Sequence, residues 1–266
     1  MLFRSTAGRT TLNGEGLQHE DGHSHVLAST IPNCVSYDPT FQYEVAVIVQ
    51  NGLKRMYEDE EDVYFYLTLM NENYVHPEMP MGVEDDIIRG LYRLKKTAKP
   101  GKKHVNLMGS GTILMQAIKA AELLKEDFGV TADIWSVPSF NELGRDYEHV
   151  ERWNRMNPLD EPREPFVTTQ LKVAKGPFIA ATDYMKCFAD QIRAAVPGRY
   201  TVLGTDGFGR SDSRVNLRRF FEVDANHIAA AAMTDLYREG AVTKTELRKA
   251  LKTYEIDGDK PNPRLV

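Results

Sequence analysis

The second half of the chain alternates short apolar segments with longer amphipathic ones, and this alternation constrains the fold more than any other feature of the sequence. Residues 105–108 lead through Gly109-Ser110-Gly111 into a helical pattern over 112–128. Further strand patterns occur at 132–137, 178–181 and 200–203, and further helical patterns at 142–157, 184–195, 213–220, 225–238 and 243–254. Strands that alternate with helices through short links form a mostly parallel sheet between helices. The sequence therefore predicts an α/β fold.

The first half of the chain has a less regular pattern, and we predict that it forms a separate domain. Strands are predicted at 33–37 and 63–70, a helix at 41–56, and loops at 8–29 and 71–82, whereas 83–94 fits either a helix or a strand. The segment 63–70 is apolar or aromatic on both faces, as in a buried strand of a parallel sheet. A polar stretch over 95–103 is typical of a linker. We therefore predict two domains, at 1–95 and 96–266.

Composition excludes several classes of function. The chain has 33 basic and 38 acidic residues, a formal net charge of −5, which gives no reason to expect a nucleic acid or an anionic membrane as partner. No apolar segment approaches the roughly 18 residues that a membrane span needs, and the first residues lack the apolar core of a signal peptide. Two cysteines cannot form a disulfide framework. We expect a cytoplasmic protein.

A dense group of ionisable side chains lies in the segment 14–25, with the sequence GEGLQHEDGHSH. Its three histidines and three carboxylates are His19, His23, His25, Glu15, Glu20 and Asp21. Histidine titrates near neutrality, nearby carboxylates shift its pKa, and glycine lets the backbone approach a ligand closely. The segment therefore indicates an acid–base surface. Two alternatives remain open from the residues alone: a hydrated polar loop, or a metal site with three imidazole ligands, although the spacing matches no zinc signature.

Several long motifs resemble one enzyme family. They are TAGRTTLNGEGLQHEDGHSH, TIPNCVSYDP, TLMNENY, LGTDGFGRSDSR and the ending NPRLV. They resemble the homodimeric decarboxylating component of bacterial pyruvate dehydrogenase complexes, a member of the transketolase superfamily, and the resemblance covers residues 7–266. It implies the end of a pyrimidine-binding transketolase-like domain in 1–95 and a transketolase-like C-terminal domain in 96–266. The family uses thiamine diphosphate and magnesium to decarboxylate pyruvate, and transfers the acetyl group to a lipoyl domain of the acetyltransferase component.

The resemblance also implies roles for residues of the segment 14–25, which would reach toward the thiazolium ring of the cofactor. His19 matches an active-site histidine that donates or orients a proton, and Glu15 matches an active-site glutamate. His25 aligns with a histidine shared across the superfamily. Asp21 and His23 are implied near the substrate or cofactor, with His23 equally compatible with a scaffolding role. Gly14 and Gly16 are candidates for backbone contact with the cofactor, and no residue is implied as a metal ligand.

Other elements of the family pattern are not found in this sequence. The diphosphate and magnesium motif, Gly-Asp-Gly followed by Asn, does not occur, and the glutamate that activates the aminopyrimidine ring belongs upstream. Residues 1–6 depart from the family pattern, so we hypothesise a gene fragment with an artificial start. We expect the isolated chain to bind no thiamine diphosphate tightly and to be inactive, with the segment 14–25 facing solvent and its histidines unpacked. The alternatives are a non-enzymatic dimerisation or docking module and, less favoured, a transketolase-like enzyme with another acyl donor.

Two further segments carry weaker signals. Gly109-Ser110-Gly111 could bind an anion at the N-terminus of the following helix, but close strand-to-helix packing explains the glycines equally well, and we favour packing. The segment 204–214, GTDGFGRSDSR, contains Arg210 and Arg214, which can pair with carboxylates. We expect a structural or interface role for it.

Overall fold

The described part of the protein contains two β-sheets. The computed structural model describes residues 2–5 and 8–266. The smaller sheet has three parallel strands: β1 (Leu2–Ser5), β2 (Cys34–Tyr37) and β3 (Tyr64–Leu69), in the order β1-β3-β2. The central strand β3 buries Phe65 and Leu67 on one side and Tyr66 and Thr68 on the other. The predicted buried strand of a parallel sheet is therefore confirmed.

The larger sheet has five strands, all but one of them parallel. They are β4 (Tyr92–Lys95), β5 (His104–Gly109), β6 (Thr131–Ser136), β7 (Phe178–Ala181) and β8 (Tyr200–Leu203), in the order β4-β6-β5-β7-β8. Only the edge strand β4 is antiparallel to its neighbour. The mostly parallel sheet predicted from the strand–helix alternation is confirmed.

Helices cover both faces of the larger sheet. In chain order the helices are α1 (Ser24–Ser29), α2 (Gln42–Leu53), α3 (Glu84–Arg89), α4 (Ile113–Phe128), α5 (Phe140–Met156), α6 (Phe166–Leu171), α7 (Lys186–Asp190), α8 (Arg214–Phe220), α9 (Ala225–Arg238) and α10 (Lys244–Thr253). The apolar side chains of α4 and α9 form one core cluster with β5 and the C-terminal α10. Those of α5, α6 and α7 form a second cluster with β6 and β7. The two clusters account for the helix–sheet–helix layering of an α/β fold.

The ambiguous segment 83–94 divides into a helix and a strand. Helix α3 ends at Gly90, whose φ of 98° lies in the left-handed region, and a side chain there would collide with the carbonyl of Ser139. Strand β4 then joins the larger sheet. The two sheets therefore divide between residues 69 and 92, so β4, which lies inside the predicted first domain 1–95, belongs to the larger sheet.

Two predicted segments differ from the structure because tertiary contacts override the local pattern. The predicted loop 8–29 contains a 3-10 turn at Leu17–His19 and the helix α1. That helix buries only His25 and Ala28, too few residues to give the sequence an apolar period. The predicted helix 184–195 is reduced to α7 and a 3-10 turn at Arg193–Ala195. The backbone before α7 bonds instead to other segments, since the N–H of Met185 donates to the carbonyl of Gly22 at 3.0 Å.

The two sheets meet where β2 and β5 end. The backbone N–H of Asp38, which follows β2, donates to the carbonyl of Pro138 at 2.7 Å. The N–H of Gly111, in the turn after β5, donates to the carbonyl of Asp38 at 3.0 Å. The carboxyl ends of parallel strands are the usual position of ligand sites in α/β proteins. We therefore expect the functional site at this edge.

Candidate functional site at the carboxyl ends of the strands

The residues just before the segment 14–25 are hydrogen-bonded to a carboxylate that follows β7. Asp183 is fully buried and accepts hydrogen bonds from the N–H of Thr10 at 3.0 Å, from Oγ1 of Thr10 at 2.6 Å and from Oγ1 of Thr11 at 2.7 Å. Burial raises the pKa of Asp183, whereas Arg218 and these donors lower it. Arg218 in turn forms a two-point ion pair with Glu72, with one distance of 3.1 Å. Residues 9–11 are thus held over the carboxyl end of the larger sheet.

A buried arginine determines which nitrogen of His23 accepts a hydrogen bond. The guanidinium of Arg9 donates to the carbonyl of Gly207 and lies 3.1 Å from Nδ1 of His23. An arginine side chain has donors and no acceptor. Nδ1 of His23 is therefore the acceptor, which leaves the proton of the neutral ring on Nε2. A side chain at Gly22 would overlap the guanidinium of Arg9, so the guanidinium would have to move away from this position.

Glu20 connects the segment 14–25 to the segment 204–214. Its carboxylate is buried and accepts the backbone N–H of Arg210 at 2.6 Å. Burial raises the pKa of Glu20 to about 7, and the bond from Arg210 and the charge of Arg9 only partly oppose this rise. The guanidinium of Arg210 itself lies over the ring of Phe220, at 4.2 Å from the centroid. Arg214 is the arginine of this segment that faces a carboxylate, with Nε 4.0 Å from Glu72.

His25 is packed on all sides. Its ring stacks on Phe188 with centroids 4.8 Å apart and meets the rings of Tyr184 and Tyr66 edge-on at 4.6 and 5.5 Å. Burial lowers the pKa of His25 to about 3, against the attraction of Asp21, so the ring is neutral at working pH. The expectation that the three histidines lack packed partners is therefore wrong for His25. Of the aromatic residues that surround it, Tyr66 lies in β3, Phe188 in α7 and Tyr184 just before α7. The sequence does not mark any of these residues as a neighbour of this segment.

The other predicted site residues are more exposed. Glu15, His19 and His23 are exposed, and the N–H of Gly14 donates to the carbonyl of Asp212 at 2.9 Å. Gly16 is half-buried and precedes the 3-10 turn that ends at His19. The structure therefore separates the predicted set into an exposed group, with Glu15 and His19, and the buried ring of His25.

Asp21 is used for local structure. Its Oδ1 accepts the N–H groups of His23 and Ser24, each at 3.0 Å, at the start of α1. A side-chain oxygen at this place satisfies N–H groups that have no partner inside the helix. The carboxylate predicted to lie near the substrate therefore also fixes the direction in which α1 begins.

Three further residues are functional candidates: Asp38 and Thr68, which were not predicted from the sequence, and Ser110, for whose turn packing was favoured over the binding of an anion. They follow or end β2, β3 and β5 and form a buried hydrogen-bonded chain that reaches His25. The signal that could have found them is the position of polar residues at the carboxyl ends of parallel strands. The Gly-Ser-Gly turn holds the carboxylate of Asp38 between the two sheets.

In residues 2–5 and 8–266, no group of three or more His, Cys, Asp or Glu side chains is arranged to hold a metal ion. Over the same residues, no helix has both the length and the apolar character to cross a membrane.

Comparison with known proteins identifies the family. The model for the transketolase-like TK C-terminal domain matches residues 90–224, which is half of the chain, so the chain belongs to the transketolase-like family. The model for the pyruvate dehydrogenase E1 component middle domain matches residues 1–77. The chain is 58% identical, over its whole length, to the pyruvate dehydrogenase E1 component of Cupriavidus necator, and 54% identical to that of Escherichia coli strain K12. The resemblance drawn from the motifs is confirmed.

The chain spans about 30% of the length of these curated relatives. Solved structures of similar fold include the transketolase of Leishmania mexicana, with a TM-score of 0.62, 14% identity, and coverage of 88% of this chain and 30% of that one. A second is a split-gene transketolase described as an inactive beta4 tetramer, with a TM-score of 0.57, 16% identity, and coverage of 88% of this chain and 66% of that one. These structures confirm the transketolase-like α/β fold.

Proposed function

We propose that this chain supplies one wall of the active site of a thiamine diphosphate-dependent pyruvate dehydrogenase E1 component. The observation that carries the proposal is the position of the segment 14–25. It extends from the carboxyl ends of parallel strands, with His19 and Glu15 exposed and His25 held in an aromatic enclosure. The identity to E1 components along the whole chain supports the assignment to this enzyme. The substrate would be pyruvate, and the acceptor a lipoyl domain of the acetyltransferase component.

The side chains of this segment would divide the chemistry among them. Decarboxylation of a keto acid begins with carbonyl attack, which develops a negative charge on oxygen and needs a proton or a hydrogen bond there. His19 is exposed and can supply it, and Glu15, four residues earlier, can exchange protons or orient the ring. His25 is neutral and fixed, so it can orient a polar group without a change of charge. Asp21 and His23 would face the substrate or cofactor, and Gly14 and Gly16 would let the backbone approach.

The described residues offer polar atoms that could contact the cofactor, but they offer no cluster that could hold its magnesium ion. Several buried polar atoms of the segment have no hydrogen-bond partner among the described residues, including Oε1 of Glu20, Oγ of Ser24 and Nδ1 of His25. Buried polar atoms are normally paired, so these atoms favour contact with a polar group from outside. No cluster in the described part of the chain suits a magnesium ion. When bound, thiamine diphosphate supplies the electron sink for the loss of carbon dioxide.

We further propose that the chain is inactive alone and binds no cofactor tightly. The residues that hold the diphosphate and magnesium would belong to the part of an E1 component that this chain does not match, since it spans about 30% of each relative. In the complete enzyme the chain would be part of a cytoplasmic homodimer, with neither nucleic acid nor membrane as partner.

A chimeric enzyme tests the catalytic role. This chain would replace the matching 30% of the Cupriavidus necator relative, and pyruvate turnover would be measured. We expect the chimera to be active, and His19→Ala to lower turnover by about 10²–10⁴, as loss of a proton-transfer group does. His149→Ala serves as the control, because His149 is an exposed histidine on α5. An active chimera in which both variants stay within about threefold of the unsubstituted protein would remove His19 from the mechanism.

A non-enzymatic docking or dimerisation module is the second candidate. It is favoured by apolar side chains that are exposed beside the segment, since Leu17, Phe208 and Val266 line one cavity of about 470 Å³. Exposed apolar surface of this kind often marks an interaction site. A folded but inactive chimera, with a self-association of the isolated chain that Phe208→Ser abolishes in sedimentation, would favour this candidate over the enzyme.

A further inference from the structure

A buried chain of hydrogen bonds runs from His25 to the junction of the two sheets. Nε2 of His25 lies 2.9 Å from Oγ1 of Thr68, and that hydroxyl donates to Oδ1 of Asp38 at 2.8 Å. Oγ of Ser110 donates to the other carboxylate oxygen of Asp38, also at 2.8 Å. All four residues are fully buried. These hydrogen bonds link β2, β3, the turn after β5 and the helix that carries His25.

The donors and acceptors in this chain can be assigned. An ionised carboxylate only accepts hydrogen bonds, and a threonine hydroxyl has a single proton to give. The hydroxyl of Thr68 has two acceptors, Oδ1 of Asp38 at 2.8 Å and the carbonyl of Tyr37 at 3.3 Å, and the closer, charged oxygen of Asp38 takes its proton when Asp38 is ionised. The contact between Thr68 and His25 can then form only if Nε2 of the ring is the donor. The neutral ring consequently carries its proton on Nε2, and Nδ1 has a free lone pair.

The surroundings hold this arrangement in place. The ring of His25 cannot turn easily, because Phe188 and Tyr184 pack against it at 4.8 and 4.6 Å. Gly111 leaves space for the carboxylate, since a side chain there would lie 2.7 Å from Oδ2 of Asp38. Nδ1 of His25 is buried and has no hydrogen-bond partner among the described residues. Nδ1 of His25 is therefore available as a hydrogen-bond acceptor, because the contact of Nε2 with Thr68 keeps the proton on Nε2.

We propose that Asp38 is a positioning residue that acts through Thr68 to hold His25 in the Nε2-protonated tautomer, so that Nδ1 accepts a hydrogen bond from a donor outside the described chain. The role of His25 toward cofactor or substrate rests on the proposed function. The tautomer itself does not, because it follows from contacts within this chain. The proposal assigns a function to the Gly-Ser-Gly turn, which binds a carboxylate of the protein.

The tautomer can be measured directly on the isolated chain. Histidine is labelled with ¹⁵N, and long-range proton–nitrogen correlation spectra identify which ring nitrogen carries the proton; His25→Gln assigns the signal. Spectra are recorded at about pH 8, because burial raises the pKa of Asp38 to about 7 and the carboxylate is mostly ionised above it. We expect a single Nε2-protonated form. A predominantly Nδ1-protonated ring in the unsubstituted chain would overturn the proposal.

Variants separate the tautomer from general effects on the fold. Thr68→Val and Asp38→Ala should each produce a mixture of tautomers, and Thr68→Ser should restore the Nε2-protonated form. Thr201→Val is the matched control, because Oγ1 of Thr201 donates to the buried Asp235 at 2.6 Å in the same kind of pair, away from His25. A pure Nε2-protonated form in Thr68→Val would refute the proposal, even if Asp38→Ala fails to fold.

Kinetics of the chimera show whether the tautomer matters for catalysis. Thr68→Val should lower kcat by about tenfold or more, with a smaller change in KM for pyruvate and with rescue by Thr68→Ser, because a misplaced proton on a catalytic histidine slows the chemical step. If the tautomer changes as expected while kcat does not, the positioning of His25 stands and its proposed catalytic role fails. If both stay unchanged, the positioning fails.

Discussion

Replacement of Gly111 by alanine should destabilise the protein more than replacement of a glycine that has the same left-handed backbone but no atoms near its Cβ position. Gly111 has a φ of 49°, and a Cβ built there lies 2.7 and 2.8 Å from the two carboxylate oxygens of Asp38. The left-handed backbone alone costs about 1–2 kcal/mol for a residue with a side chain. Overpacking against a buried group adds about 1–3 kcal/mol. We expect a total loss of about 2–5 kcal/mol in the free energy of unfolding.

Gly129 provides the matched control. Its φ of 63° is also left-handed, but no atom lies within 4 Å of a Cβ built there. Gly129→Ala should therefore cost only the backbone contribution, about 1–2 kcal/mol. Urea denaturation followed by far-UV circular dichroism gives both values. In an Asp38→Ala background the extra cost of Gly111→Ala should disappear, because the nearest atoms are then absent. Equal losses for the two glycines, or an extra cost that survives without Asp38, would refute this account of the junction.

Two further predictions concern stability. Burial raises the pKa of Glu20 to about 7 from 4.5, so the folded state retains a proton that the unfolded state has lost. Stability should therefore fall as the pH rises from about 4.5 to 7, and Glu20→Gln should lessen this fall in urea denaturation; an unchanged slope would contradict the assignment. Ser139 caps α5, accepting the N–H of Glu142 at 3.0 Å and donating to the carbonyl of Ser36 at 2.7 Å. Ser139→Ala should lower the midpoint of thermal unfolding and cost about 1–2 kcal/mol, and a loss below about 0.3 kcal/mol would show that the cap is dispensable.

Much of the fold follows from local pattern. The strands β7 and β8 and the helix α9 have the bounds that apolar periodicity predicts, because each buries a large share of its own residues. The short helix α1 was not predicted, since it depends on contacts that His25 and Ala28 make with other elements. The segment 184–195 looked like one helix because its apolar residues recur at helical spacing. Its first residues bond instead to Gly22 and to the segment after β8.

The candidate site was predictable only in part. Its exposed members, Glu15 and His19, are contiguous in sequence and belong to a recognisable motif, and their roles stay predictions. Asp38 and Ser110 are 72 residues apart, and Thr68 and His25 are 43 apart. Their contacts exist only because parallel strands from two sheets end at one edge, and no local sequence pattern encodes that meeting. The family resemblance likewise gave no role to Glu20, whose importance comes from its burial.

Binding of thiamine diphosphate tests most directly the claim that this chain supplies side chains of the active site but not the residues that hold the cofactor. Calorimetric titration with thiamine diphosphate and magnesium would be carried out on the isolated chain and on the chimera under the same conditions. We expect stoichiometric binding to the chimera and none to the isolated chain, and little change in the affinity of the chimera on His19→Ala. Stoichiometric binding to the isolated chain with a Kd on the order of 1 μM, about −8 kcal/mol, would contradict the claim.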